Sequence, residues 1–202
     1  DLAQQCRAKD VPVVLFNRRL GDAHELAVVS DNQRGGQLVA QHFADIGVSR
    51  VGYIAGWRAA STQNDREAGF RIEALKLGLD LVDVQDGDFN PDKARTATLQ
   101  MFDRADPPQA VFVANDYMAF TVLDVLRTEL GLRVPQDVCV VGFDDVPTAA
   151  WNSYDLTTVR QNSQGMVDEV VALLMAAIGG QGVVAPMPLS VELVARGTTK
   201  RG

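Results

Sequence analysis

Val111-Phe112-Val113-Ala114-Asn115-Asp116-Tyr117-Met118-Ala119 decides how the chain folds. Four apolar residues run into a polar pair, and a helix-period stripe follows: Met118, Val122, Leu123, Val125, Leu126 and Leu130, closed by Gly131. A short apolar run that hands over to a helical stripe reads as a buried strand and its covering helix, the repeating unit of a parallel sheet. The arrangement recurs on both sides of this stretch. Asn17-Arg18 follows Val13-Val14-Leu15-Phe16, and Gly56-Trp57 follows Val51-Gly52-Tyr53-Ile54. Asp88-Phe89 comes shortly after the run 81–84, and Asp144-Asp145 follows the run 138–143. With these runs as parallel strands, all five polar clusters lie at strand carboxyl ends, the rim where open α/β sheets bind ligands.

The connecting segments carry helix signals. A stripe of Leu38, Val39, His42, Phe43 and Ile46 predicts a helix over 36–46, stopped by Gly47. Thr62-Gln63-Asn64-Asp65 matches a capping box, predicting a helix from there to Leu77, with Gly78 ending it. Asn90-Pro91-Asp92 supplies a capping side chain, a proline at the first helical position and an acid at the positive end of the dipole. Pro107-Pro108 breaks that helix before a strand over 110–114, and Val134-Pro135-Gln136-Asp137 turns into the strand over 138–143. An extended piece at 157–159, a helix over 166–178 ended by Gly179-Gly180, and a strand over 189–194 complete the alternation. Residues 2–9 look like the tail of a helix leading straight into a strand at Val11, which suggests a fragment of a longer protein.

Composition narrows the function classes. The 202 residues are 47% hydrophobic and 22% charged, enough to bury a core and too apolar for disorder. A net charge of −7 with no Lys/Arg run argues against direct nucleic-acid binding by this chain. Cys6 and Cys139 are far apart, and Cys139 sits within an apolar strand as a small buried hydrophobe, so a reducing compartment fits. No signal peptide or membrane-length apolar run is present in the sequence.

Catalytic machinery is thin. His42 lies on an apolar helix stripe and His24 in a polar loop, so each reads as a core or surface residue. The sequence has no metal-spaced His pair, Cys cluster, Walker loop, Gly-x-Gly-x-x-Gly turn or Gly-x-Ser-x-Gly elbow. Asp88, Asp116, Asp144 and Asp145 could supply oxygens to a magnesium ion. Asp116 and Asp145 are expected instead to cap a helix or close an Asx turn, while Asp144 stays open between the two roles. Amides, carboxylates and the planar fork of Arg66, with Phe89 or Trp57 to cover an apolar ring face, suit a polyhydroxylated or heterocyclic small molecule. The competing reading has Phe89 in the core under the rim and Arg66 in a surface ion pair.

Six segments in order then carry a family resemblance: Val28-Val29-Ser30-Asp31-Asn32 with Gly35-Gly36, Arg66-Glu67-Ala68-Gly69-Phe70, Val113-Ala114-Asn115-Asp116-Tyr117-Met118-Ala119, Val134-Pro135-Gln136-Asp137-Val138, Val141-Gly142-Phe143-Asp144-Asp145 and Leu156-Thr157-Thr158-Val159-Arg160-Gln161. Together, over about 11–199, the chain resembles the effector-binding region of the lactose/galactose repressor (LacI/GalR) family of bacterial transcription regulators. The resemblance implies an α/β, periplasmic-binding-protein-like fold of two doubly wound parallel-sheet lobes, the N-terminal lobe incomplete here. It places residues 1–31 and 162–187 in that remainder, and residues 32–161 and 188–202 in the C-terminal lobe, with crossings near Asp31, Gln161 and Pro188. It implies a small effector held between the lobes, contacted by Asn17, Arg66, Phe89, Asn115, Asp144 and Gln161, with Thr62 a further candidate. The chain departs from the family pattern at Trp57, Asn64 and Asn162, where proline, arginine and proline are frequent.

The resemblance further implies a cytoplasmic homodimer, with no cofactor and no catalytic activity. It implies a carbohydrate or related metabolite as effector, and operator DNA contacted only through a helix-turn-helix headpiece outside this sequence. The Met118–Leu130 helix, apolar on more than one side, suits either a dimer contact or core packing on both sides. A periplasmic sugar-binding protein of a transporter shares the fold, and a metal-dependent enzyme using the acidic tips is the third reading.

Overall fold

Two compact units make up the chain: Asp1–Asp31 with Gln161–Ser190, and Asn32–Arg160 with Val191–Gly202. The computed structural model describes residues 2–21 and 25–200, so His24 lies outside the described residues. In chain order the elements are α1 (Leu2–Arg7), β1 (Val14–Phe16), β2 (Leu26–Val28), α2 (Asn32–Asp45), β3 (Arg50–Ala55), α3 (Ser61–Lys76), β4 (Asp80–Asp86) and α4 (Pro91–Phe102). Then come β5 (Ala110–Val113), α5 (Asp116–Asp124), β6 (Cys139–Asp144), β7 (Thr157–Gln161), α6 (Ser163–Ile178) and β8 (Val191–Val194).

The larger unit is built on a six-stranded sheet in the order β4-β3-β5-β6-β7-β8, with β3–β4, β3–β5, β5–β6 and β6–β7 paired parallel. Every residue of β5 is buried, as is all of β3 after Arg50, because helices cover both faces of these central strands. That is why they read in sequence as unbroken apolar runs. Tyr53, Phe70 and Phe112 stack at centroid distances of 5.1–6.0 Å, and Phe43 meets Phe70 edge-on at 6.1 Å. Truncating Phe70 to Ala would cost about 3–5 kcal/mol, since it joins α3 to both strands.

Close helix contact sets the position of α3. A Cβ on Gly36 of α2 would lie 2.1 Å from the Arg66 carbonyl oxygen, and one on Gly69 of α3 would lie 2.0 Å from the Gln33 carbonyl oxygen. The two backbones therefore touch through glycine. This also explains why α2 begins at Asn32 and not near Gly36: the glycines are helical, kept for proximity despite their poor helix propensity.

The smaller unit pairs β1 with β2 in parallel and packs α6 against both strands. Val28, Met166 and Leu173 form its core, flanked by Val14, Val170, Val183 and Leu189. Asn162 caps α6 by accepting the Gly165 N–H at 3.0 Å. Leu189 bridges to Ser30, so the expected strand over 189–194 is shorter at its start than the pattern suggested, β8 beginning at Val191.

Three local expectations need correction. The capping box at Thr62 does not form: Ala60 is the N-cap, without a side-chain bond, and α3 starts at Ser61. Its entry is tied to β3 instead, because the Gln63 side-chain oxygen accepts from the Tyr53 hydroxyl at 2.8 Å and the Gly56 N–H at 2.6 Å. The helix after Asp116 is α-helical only to Asp124 and continues as a wider π-turn at Val125–Glu129 before Gly131 (φ +66°) ends it. Asp116 and Asp145 neither cap a helix nor close an Asx turn; their carboxylates hold other elements, as described below. Cys139 is fully buried, with its sulfur 3.6 Å from the Pro135 carbonyl oxygen.

Candidate functional site

Strand tips and helix starts of the larger unit converge on Arg66. Its side chain is almost wholly buried, and three separate stretches hold it. Nε donates to Asn32 Oδ1 at 2.8 Å, Nη1 to the Ala114 carbonyl at 2.5 Å and Nη2 to Asp144 Oδ1 at 3.3 Å. The guanidinium carbon lies 3.6 Å from the centroid of the Phe143 ring. A charge this buried persists only when paired and hydrogen-bonded. Burial pulls the Arg66 pKa below its ordinary value, and Asp144 is the main group opposing that. The three bonds leave the guanidinium, which carries five N–H groups, locked in one orientation.

Asn115 stands between β5 and α5. Its side-chain oxygen accepts the Met118 N–H at 3.0 Å, so the cap fixes the amide at the tip of β5. Asp144 ends β6 in the left-handed region at φ +118°, and Asp145 follows at +55°. Asp88 and Phe89, beyond β4, sit at +55° and +53°. Non-glycine residues held there cost about 1–3 kcal/mol each and gather at ligand-binding positions. The Phe89 ring covers Gly56 so closely that a Cβ there would fall 2.2 Å from it. Phe89 thus packs partly on the core beneath the rim. Thr62 is buried in the first turn of α3, one helical turn before Arg66 and on the same face.

Arg66, Asn115 and Asp144 are therefore neighbours, and Thr62 and Phe89 belong to the same unit. Asn17 and Gln161 belong to the smaller unit. Asn17 follows β1 at φ +67°, with a buried side-chain oxygen that has no hydrogen-bond partner among the described residues. Gln161 ends β7, and its side-chain oxygen accepts the Ser30 hydroxyl at 2.7 Å.

The acidic tips are engaged by protein groups. Asp145 pairs with Arg160 at 2.5 Å and Arg196 at 2.7 Å, tying the β6 tip to β7 and to the segment after β8. Asp88 pairs with Lys93 at 2.5 Å. Asp116 accepts the Thr158 hydroxyl at 2.6 Å and the Val146 N–H at 2.9 Å, and burial pushes its pKa up to about 7. Among the described residues, no three His, Cys, Asp or Glu side chains group closely enough to hold a metal ion. His42 is half-buried with Nε2 2.8 Å from the Thr199 hydroxyl, and burial lowers its pKa. No helix among the described residues is long and apolar enough to cross a membrane.

Sequence reasoning missed Asn32, Phe143 and Gln63, the residues that aim Arg66 and tie down the β3 tip. Strand alternation puts the consecutive Phe143 and Asp144 on opposite faces, yet both reach Arg66, so alternation carries no signal for Phe143. Asn32 and Gln63 carry none either.

A family model described as a periplasmic binding protein-like domain matches residues 40–199. A LacI transcriptional regulator from a Rhodococcus species is 30% identical, with a TM-score of 0.89 over 97% of this chain and 72% of that one. The chain belongs to the LacI family and carries its periplasmic binding protein-like domain. The LacI-type fold expected from the six segments is thus the fold observed. The HTH-type transcriptional regulator CelR of Thermobifida fusca is 35% identical over 184 residues, covering 89% of this chain and 54% of the relative. A solved CelR–cellobiose complex is 33% identical, with a TM-score of 0.90, over 98% of this chain and 62% of that one. The transcriptional repressor PurR of Photobacterium profundum is 30% identical over 176 residues, 85% of this chain and 52% of the relative. The chain spans about half the length of the curated relatives it matches. These relatives are named as regulators of transcription and not as transport proteins or enzymes.

Proposed function

We propose that this chain is the ligand-sensing domain of a bacterial transcription regulator, and that Arg66, Asn115 and Asp144 grip a small polyhydroxylated effector. The observation that carries the reading is the fixed pair of Arg66 from α3 and Asp144 at the β6 tip, a donor fork beside an acceptor. Such a pair can bridge vicinal hydroxyls, each of which donates to the carboxylate and accepts from the guanidinium. Asn115 adds its amide, Phe89 an apolar ring face and Thr62 a hydroxyl. Asn17 and Gln161 enter the proposal on the family resemblance alone. None of these groups has to change protonation state, so the site suits a receptor, without catalysis. A carbohydrate is the favoured effector class, since CelR, the relative sharing 35% of its residues over this region, has been solved with cellobiose.

The effector acts by binding one conformation of the domain more tightly than another, which is the only way a ligand shifts such an equilibrium. In the full regulator, a cytoplasmic homodimer on this reading, that shift alters operator affinity through a helix-turn-helix segment outside this sequence. The acidic balance of the present chain fits that division of labour.

A thermal-shift panel of mono- and disaccharides, cellobiose included, and of nucleosides tests the reading. A true effector at about 100 times its Kd adds about 2.7 kcal/mol, or roughly 5–10 °C in Tm at this size. Asp144→Ala is expected to abolish that shift while leaving the far-UV circular dichroism unchanged. A saccharide-induced shift that survives Asp144→Ala refutes the site.

A further inference from the structure

Asp116 opens α5 with no exposed surface, the most deeply buried carboxylate among the described residues. One oxygen accepts the Thr158 hydroxyl from β7, and the other accepts the Val146 N–H from the loop that leaves β6. It therefore spans three elements, and one of them is the strained segment that presents Asp144. Two successive residues of that segment, Asp144 and Asp145, lie in the left-handed region, so its shape depends on being held from outside. The holds are the Arg66–Asp144 pair, the Asp145 pairs with Arg160 and Arg196, and the Asp116–Val146 bond.

We propose that Asp116 is a positioning residue for the effector site: its buried carboxylate latches the Asp144-Asp145-Val146 tip, and a proton on that carboxylate favours the closed tip. The inference rests on the reading of Asp144 as an effector contact.

The charged groups around Asp116 set the sign. From the tip, Asp144 and Asp145 both disfavour a negative charge on it. From α3, Arg66 attracts one but is already engaged by Asn32, Ala114 and Asp144. From β7 come Thr158, whose hydroxyl does not titrate near neutrality, and Arg160, held by Asp145. Gly142 of β6 lies directly against the carboxylate, where a Cβ would fall 2.2 Å from Oδ1. α5 offers no further charge before Asp124. The Thr158 hydroxyl and the Val146 N–H both favour the anion, but burial together with the two tip carboxylates outweighs them. Loss of the proton thus leaves an anion in a dry site beside two other anions, and opening the tip lets water reach it. Burial is the largest influence and raises the pKa to about 7, so the proton comes and goes near neutral pH. Deprotonation loosens the tip; protonation closes it. An effector that needs the closed tip then binds together with a proton, and the coupling is reciprocal.

Amide hydrogen exchange of Val146 between pH 5.5 and 8.5 tests the latch without any ligand. In the wild-type chain its protection factor is expected to fall severalfold as pH rises through about 7, within the limit of about tenfold per pH unit for one linked proton. Asp116→Asn keeps the shape without the titration, so its profile is expected to be flat. Thr158→Val removes a bond that favours the ionised form, and is expected to move the midpoint upward. A wild-type profile without a step, or a step unchanged in Asp116→Asn, overturns the proposal. Calorimetry with cellobiose in two buffers of different ionisation enthalpy then reads proton uptake. Binding without proton uptake at pH 7 also overturns the proposal, whereas absence of cellobiose binding bears on the effector class alone.

Discussion

Gly36→Ala separates local propensity from packing, because the two predict opposite signs. In a helix interior, alanine is favoured over glycine by about 0.5–1 kcal/mol, so propensity alone makes the variant more stable. The structure says otherwise. The new Cβ would lie 2.1 Å from the Arg66 carbonyl oxygen and 2.7 Å from the Phe70 nitrogen, and both obstacles are backbone. Against ordinary nonbonded separations of about 3.5 Å, α2 and α3 would have to part by roughly 1 Å. Overpacking of this kind costs about 1–3 kcal/mol or more. After the propensity gain, a net loss of about 1–2 kcal/mol is expected, or roughly 2–8 °C in Tm for a chain of this length. Urea unfolding is the assay, with a lower midpoint at unchanged slope as the expected result. Since the displaced group belongs to Arg66, the proposed role of Arg66 as an effector contact further predicts weaker binding of any saccharide that stabilises the wild type. A midpoint equal to or above wild type would show that α2 and α3 are not in backbone contact and would sink the account of how Arg66 is placed.

Three other outcomes follow from single contacts. Asp145→Ala leaves Arg160 and Arg196 without their shared partner and is expected to cost about 1–3 kcal/mol in denaturant melts, with most of the loss traced to the less exposed Arg196. Asn90→Ala removes the side chain that accepts the Lys93 N–H at the start of α4, a loss of about 1 kcal/mol on the same assay. Asp116 has a folded pKa of about 7 against 3.8 unfolded, so its contribution is fully present below about pH 4 and lost as pH rises through 7. Relative to Asp116→Asn, the wild type should therefore lose stability between pH 4 and 8, by at most about 4 kcal/mol; parallel pH profiles would count against this.

The architecture was legible in the sequence wherever burial is two-sided. β3, β5 and β6 announce themselves as apolar runs because both faces are covered, and Asn90-Pro91 marks the start of α4 because a cap is a local device. Gly47, Gly78 and Gly131 stop helices by adopting positive φ, which few other residues do without cost. What the pattern misjudged depends on distant partners. Gly35 and Gly36 look like a helix boundary until Arg66 and Phe143 are placed against them. Thr62-Gln63-Asn64-Asp65 looks like a cap until Gln63 turns to Tyr53 and Gly56. At the site, the polar tips could be picked out one by one, and the burial of Arg66 could not. Its partners Asn32, Ala114 and Asp144 come from three separate stretches, and only the folded sheet brings them together.

The left-handed backbone at Asn17, Asp88, Phe89, Asp144 and Asp145 restricts how this domain could acquire a new ligand. β-Branched and bulky side chains are strained in that region, Phe89 being held there by its packing on Gly56, so substitutions at the other positions are largely confined to glycine, asparagine and aspartate. Retuning of preference would then fall on positions of ordinary conformation, and the exposed Trp57 and Asn64 are candidates because the family resemblance marks both as departures from its pattern. On the proposed function, a library built to change the effector should randomise those two and leave the turns alone.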